Sequence, residues 1–353
     1  MIFWINSVAN AEICAHADFT DALNNFGEAG YQGRHVVIGS KTFMKELSVQ
    51  KGLSRAAAAY YKWSSGAVTQ LGNLAKRTDC IIVDHSSIAP LLRAQQWNVP
   101  LRIFSNPDLL GKSEILCENL TDCDALVALC NIAVKKQAPS CTISFKPVAG
   151  GGDTTHTHIT SYLKNPSAPF ICVVDSDRDY PGAKLGETAK KCLKAYSSAW
   201  NNKIKIHASR ELENLIPLDA MHSIGPETGD DPSLEEFQFV AESIAMFADL
   251  KLGERPCRFH DVPDSHCEKK AIATALESAA ATHTRFKCGS ACSQFGCNLI
   301  PRLGKNFLVK FVTWVNQPSN ARAISDQSKW NSDLVETINL AISLGISFPR
   351  RVF

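Results

Sequence analysis

The chain has 353 residues, 45% of them hydrophobic and 20% charged, with a formal net charge of +2. That length suits two or three compact units, and the balance supports a sizeable core and excludes a largely disordered chain. Near-neutrality does not force a nucleic-acid partner, although a local basic groove can sit beside an acidic site on such a chain.

The first region, residues 1–108, alternates apolar runs with a helix-like stretch. His35-Val36-Val37-Ile38-Gly39, Cys80-Ile81-Ile82-Val83-Asp84 and Pro100-Leu101-Arg102-Ile103-Phe104 predict strands, and Leu53 to Lys76 predicts a helix, which together make an α/β unit. Lys45 to Trp63 can be read in two ways. It suits a helix-turn-helix whose second helix offers Ser54, Arg55, Tyr60 and Lys62 to a major groove, or two ordinary helices of the α/β unit. Asp84-His85-Ser86-Ser87 reads as an active-site loop or as a turn in which Ser86 or Ser87 caps a following helix.

The second region, 109–220, predicts a β-α-β-α-β-α-β series. Strands are expected at Glu114-Ile115-Leu116-Cys117, Thr142-Ile143-Ser144-Phe145, Phe170-Ile171-Cys172-Val173-Val174 and Lys203-Ile204-Lys205-Ile206-His207. Helices are expected over 122–136, 156–163 and 186–197. The near-continuous apolar run at 170–174 is that of a strand buried on both faces of a parallel sheet.

The third region, 221–353, opens on the polar linker Gly225-Pro226-Glu227-Thr228-Gly229-Asp230-Asp231-Pro232-Ser233 and predicts mainly helix. The chain carries 13 cysteines. Many lie in apolar runs, where thiols behave as small hydrophobes. Near the C-terminus Cys288, Cys292 and Cys297 cluster, with His260, His266 and Cys267 upstream. Cys267, Cys288, Cys292 and Cys297 could hold a structural Zn2+, though the spacing is not that of a common zinc finger; otherwise they are packing or loop thiols. There is no basic leader segment and no apolar run near the roughly 18 residues of a membrane span. A reducing, cytoplasmic setting without a membrane partner is expected.

Acidic residues recur where strands end. Glu118 and Asp122 follow the first strand of the middle region, Asp175-Ser176-Asp177-Arg178-Asp179 the third, and Arg210-Glu211-Leu212-Glu213 the last. Ligands of open parallel sheets bind outside the carboxyl ends of the strands. Carboxylates brought together there repel, and a hard divalent cation such as Mg2+ or Mn2+ removes that penalty. The plainer reading of Asp122 is a cap for its helix, and Asp175 to Asp179 could be a solvated turn.

These residues carry a family resemblance. Glu118-Asn119-Leu120-Thr121-Asp122 resembles the first toprim motif, a strand-end glutamate with an aspartate four positions on, and Asp175-Ser176-Asp177 resembles the second. Val148-Ala149-Gly150-Gly151-Gly152-Asp153 is similar to the glycine turn of the OLD nucleases and their toprim relatives. Arg210-Glu211-Leu212-Glu213-Asn214 resembles a segment of toprim-like nucleases from bacterial anti-phage systems. The likeness covers residues 112–217. Asn119 stands where the family usually has glycine, and asparagine tolerates the left-handed turn that glycine would supply. No complete P-loop accompanies it.

The resemblance implies a central toprim-like Rossmannoid parallel sheet and a metal-dependent nuclease of DNA or RNA. Glu118 and Asp122 would hold one metal, and Asp175 and Asp177 a second or the rest of the first. Glu213 is a further ligand, and Glu211 is expected to face away. Gly150, Gly151 and Gly152 could let a phosphate approach the backbone at a helix start, or simply form a tight turn that needs positive φ, the favoured reading. Lys184, Lys190, Lys191 or Arg178 could touch a nucleic-acid backbone. The family context implies antiviral defence and a separate ATPase or sensor subunit. Topoisomerase and primase readings lack a cleavage domain with its tyrosine and a zinc ribbon. The alternative outside enzymology is a DNA-binding regulator or sensor with a degenerate toprim unit, and Asn119 is its best support.

Overall fold

The computed structural model describes residues 1–6, 17–71, 73, 79–165, 167–225, 246–253, 274 and 302–350. They form an α/β structure built on two sheets that are mainly parallel.

The N-terminal sheet has the order β2-β1-β3-β5-β4. Its strands are β1 (Ile2–Ile5), β2 (Val36–Gly39), β3 (Ile81–Asp84), β4 (Leu91–Arg93) and β5 (Gln96–Pro100). All pair in parallel except β4, which returns antiparallel on β5 at the edge. The apolar run at 100–104 is not a strand. The strand ends at Pro100, and Leu101–Ser105 forms a 3-10 turn that buries Leu101 and Phe104. Their spacing of three puts both on one face of such a turn.

Helices α1 (Ala17–Tyr31), α2 (Lys41–Leu47) and α3 (Arg55–Leu71) accompany this sheet. α1 and α3 pack so closely that a Cβ at Gly30 would stand 2.3 Å from the Tyr60 ring. Tyr60 is fully buried, and its hydroxyl accepts from the Val37 amide and donates to the Val37 carbonyl. Tyr60, locked into the sheet's core, is therefore not available to a DNA groove as the helix-turn-helix reading of 45–63 requires, whereas Arg55 and Lys62 are exposed. Nor does a helix follow Asp84 directly. The amide and hydroxyl of Ser86 donate back to the Asp84 carboxylate, a local turn of the kind aspartate favours.

The second sheet has the order β10-β9-β6-β8, all parallel. It contains β6 (Glu114–Cys117), β8 (Lys146–Ala149), β9 (Phe170–Val174) and β10 (Asn202–Ile206). The strand expected over 142–145 is displaced. Thr142–Ile143 (β7) pairs antiparallel with Ile346–Ser347 (β11), and the sheet strand is 146–149. Pro147 has no N–H to give a second neighbour, which suits β8 to the edge it occupies.

Residues of β6 and β9 divide by alternation between the two faces. Ile115, Cys117, Ile171 and Val173 join the main core, while Leu116, Phe170, Cys172 and Val174 form a second cluster with Ile159 and Cys192. The first face is covered by α4 (Leu120–Gln137), with α8 (Phe307–Val315) and α10 (Ser332–Gly345) packed on α4. The second is covered by α5 (Thr155–Lys164) and α6 (Glu187–Ala195). α7 (Leu218–Ile224) and α9 (Pro318–Ala323) complete the helices used below. The described part of the third region thus packs into the other two. Phe3 and Phe104 each meet Trp200 edge-on, which carries the core from one sheet toward the other. Among the described residues no helix is long and apolar enough to cross a membrane.

Candidate carboxylate site

From β6 the chain passes through α4 to β8 on one side, then through α5 to β9 on the other side of β6. The crossover reverses direction between β6 and β9, and parallel sheets open a ligand crevice at the carboxyl ends flanking such a reversal. Glu118 follows β6 directly and Asp175 follows β9 directly.

Around Glu118 the glycine turn closes in. The Gly150 amide donates to the Cys117 carbonyl at 2.7 Å, and the Gly151 amide to the Glu118 carbonyl at 3.1 Å. Gly151 and Gly152 have φ of 74° and 62°, values that ordinary side chains resist. A Cβ at Gly152 would lie 3.9 Å from Glu118 Oε2, so this backbone runs beside the carboxylate.

Asp122 is the third residue of α4, and its Oδ2 accepts from the Asn119 amide at 3.1 Å. The two form a capping box. The plainer reading of Asp122 as a helix cap therefore applies to one of its oxygens. Asn119 is extended, at φ −128°, so the left-handed turn expected there is not needed.

Asp175 Oδ1 accepts from the Leu212 amide at 3.0 Å. The Ser176 hydroxyl donates to the Ser209 carbonyl, and the Ser176 and Asp177 amides both donate to the Arg210 carbonyl. These bonds tie the paired aspartates to the turn after β10. Asp177 takes the left-handed φ of 54°. Its carboxylate fills the space where a side chain at Gly186 would go, because a Cβ there would lie 2.3 Å from Asp177 Oδ2.

Glu213 is buried in the short 3-10 turn after β10. The Lys251 ammonium lies 3.2 Å from Glu213 Oε1 and 3.3 Å from Glu211 Oε2. Glu211 therefore turns toward the cluster, against the expectation that it faces away. Lys251 escaped the sequence reading because its segment reaches the site only by tertiary docking. The Arg210 amide donates to the Met246 carbonyl, and the Asn214 amide group to the Ala248 carbonyl.

The electrostatics are those of crowded acids. Glu118 is pushed up to about 7, by burial first and then by Asp177 and Asp122. Burial and then Glu213, Asp122 and Glu118 hold Asp175 well above the usual carboxylate range, against Lys251. Asp122, Glu211 and Glu213 are raised too, burial being the main cause. Burial alone would lower Lys251, but Glu213, Glu211 and Asp175 outweigh it and raise the lysine.

The donor set suits a hard divalent cation: every candidate ligand is a carboxylate. Glu118 Oε1 is buried with no hydrogen-bond partner, and several neighbouring acids resist ionisation. Among the described residues, however, no three His, Cys, Asp or Glu side chains converge closely enough to hold a metal as they stand. Charge and donor type fit the ion, and rotation of these side chains would be needed to close on it. Of the basic candidates, Lys190 pairs with Glu187 and Lys191 with Asp153, both at 2.6 Å. Cys267, Cys288, Cys292 and Cys297 lie outside the described residues.

Comparison of the chain with protein-family models, curated proteins and solved structures gives no match.

Proposed function

We propose that the chain is a metal-dependent nuclease of the toprim type, acting on DNA or RNA through the crevice between β6 and β9. The observation that carries this reading is the placement of Glu118 and Asp175 at the ends of adjacent strands flanking the sheet's reversal point, where Glu118 keeps a buried oxygen with no partner. Glu118, Asp175 and Asp177 would hold Mg2+ or Mn2+, with the second oxygen of Asp122 and Glu213 completing one or two sites. When bound, the ion lowers the pKa of water and offsets charge on a phosphoryl group.

The chain's own groups supply the rest. Burial and the neighbouring Asp177 and Asp122 disfavour the charge on Glu118 in the absence of an ion, and holding a cation would keep it ionised. Lys251 holds Glu211 and Glu213 together and gives the cluster a fixed positive charge. Gly151 and Gly152 leave the backbone open for a phosphate to come close. Arg178 and Lys184 are the basic residues of the 177–186 loop that could meet a nucleic-acid strand. In a cell the enzyme would work in the cytoplasm, in antiviral defence, with a separate ATPase or sensor subunit.

The test is cleavage of plasmid DNA, single-stranded DNA and total RNA with Mg2+, Mn2+ or chelator. Metal-dependent cutting should fall at least about 100-fold in both Glu118→Ala and Asp175→Ala. Cutting that persists in chelator, or variants that cut as well as wild type, would refute the reading. The second reading, a nucleic-acid-binding regulator with a degenerate site, is favoured by the Lys251 ammonium among the acids and by the capping role of Asp122. It predicts nucleic-acid binding without cleavage in either metal.

A further inference from the structure

At the far end of α4 from the carboxylates, a cavity of about 480 Å³ opens between α4, α8 and α9. That volume is in the range of small-molecule sites. Its apolar wall includes Ile132, Val315 and Pro318, and its rim carries Lys135, Lys136 and Arg322. No acidic residue lines it among the described residues.

We propose that this cavity binds a small organic phosphate of mononucleotide size, its flat body against Ile132, Val315 and Pro318 and its phosphate on the cationic rim. Lys135 and Arg322 each lie in the last turn of their own helix, α4 and α9, and both line this one cavity. Basic residues in the last turn of a helix commonly complement its dipole; Lys136 is in addition engaged by the 325–326 segment, 3.6 Å from Asp326 and 3.5 Å from the Ser325 carbonyl. Lys135 and Arg322, on two different helices, have no ion-pair partner among the described residues. They face one cavity with an apolar wall between them. Cations from two helices around one partly apolar cavity suit a ligand with an apolar body and an anionic end. A purely anionic ligand would leave the slot unused.

The site stands apart from the carboxylate crevice. Asp122 and Lys135 lie on the same helix about 20 Å apart, so the inference does not depend on the nuclease reading.

Calorimetric titration of the full chain in EDTA, with AMP, ATP, adenosine and inorganic phosphate, tests the proposal without involving the metal site. AMP or ATP should bind with a Kd below about 1 mM, with adenosine and inorganic phosphate each at least tenfold weaker. The double variant Lys135→Glu, Arg322→Glu should lose at least tenfold. Should that variant not fold by circular dichroism, Ala321→Phe, which fills the slot and leaves all three cations, should abolish nucleotide binding by itself. The proposal is overturned if neither nucleotide binds wild type saturably, if adenosine or phosphate binds as well as AMP, or if the folded variants keep wild-type affinity.

Discussion

Glu118 is the residue on which most of the site's chemistry turns. Its folded-state pKa lies near 7, against an ordinary value of 4.5. The folded chain therefore holds this proton more tightly than the unfolded chain. The stability this gives is fully present below about pH 4.5 and is lost as pH rises through about 7. Asp122, Asp175, Glu211 and Glu213 shift in the same direction and deepen the loss. Thermal unfolding in chelator should show a melting temperature that falls across this window. Glu118→Gln should flatten the fall, and equal slopes in both proteins would contradict the electrostatic account. Gly186 offers a second residue-scale prediction. Gly186→Ala puts a methyl group into the Asp177 carboxylate and should cost about 1–3 kcal/mol in denaturant unfolding; an unchanged midpoint would show that Asp177 is not held there. Glu118 and Asp175 could be picked out in the sequence because each directly follows an apolar strand, and Asp177 stands two residues beyond Asp175. Lys251 was not, because it reaches Glu213 through a segment docked on the 210–214 turn, a contact no local pattern encodes.

Among the elements, β6, β9 and β10 were legible from their apolar runs and the strand ends that follow. The sheet strand near residue 145 lies four residues beyond the expected 142–145, at 146–149, where Pro147 argues against a strand unless the strand lies at an edge. The run at 100–104 misled because apolar content alone does not separate a strand from a 3-10 turn. The helix suggested for DNA reading at 54–62 turns Tyr60 into the core, and Tyr60→Phe tests the structural role of that residue. Losing a buried hydroxyl that bonds Val37 twice should cost about 1 kcal/mol and leave any nucleic-acid affinity unchanged. A selective loss of affinity at equal stability would return Tyr60 to a DNA-reading role.

The turn after β10 is fixed by α10. Asp333 accepts from the Ala208 amide at 2.7 Å and the Ser209 amide at 3.1 Å, and meets Lys205 Nζ at 2.8 Å. Beside it His207 is buried and pushed down to about 4, chiefly by burial, so Lys205 is the charged partner at neutral pH. Asp333→Ala leaves Lys205 with only the exposed Glu336 and should destabilise the chain by about 3 kcal/mol. It should also raise hydrogen exchange at 208–213. Loss of stability with unchanged exchange there would mean that α10 does not hold the acidic turn.

For the molecule as a whole, the α/β class and the order of elements around the crevice could be read from sequence, while the integration of the C-terminal helices could not. The contacts that bind them run from Met1 to Leu344, Ser113 to Leu344 and Ala208 to Asp333, and spans of that length leave no local pattern. The central claim is that the crevice between β6 and β9 takes a divalent ion on Glu118 and Asp175. Calorimetric titration of Mn2+ into wild type, Glu118→Gln and Asp175→Asn tests it most directly. The account predicts saturable binding by wild type and its loss in both variants, each with wild-type circular dichroism. No binding by wild type, or wild-type affinity in either variant, would contradict it.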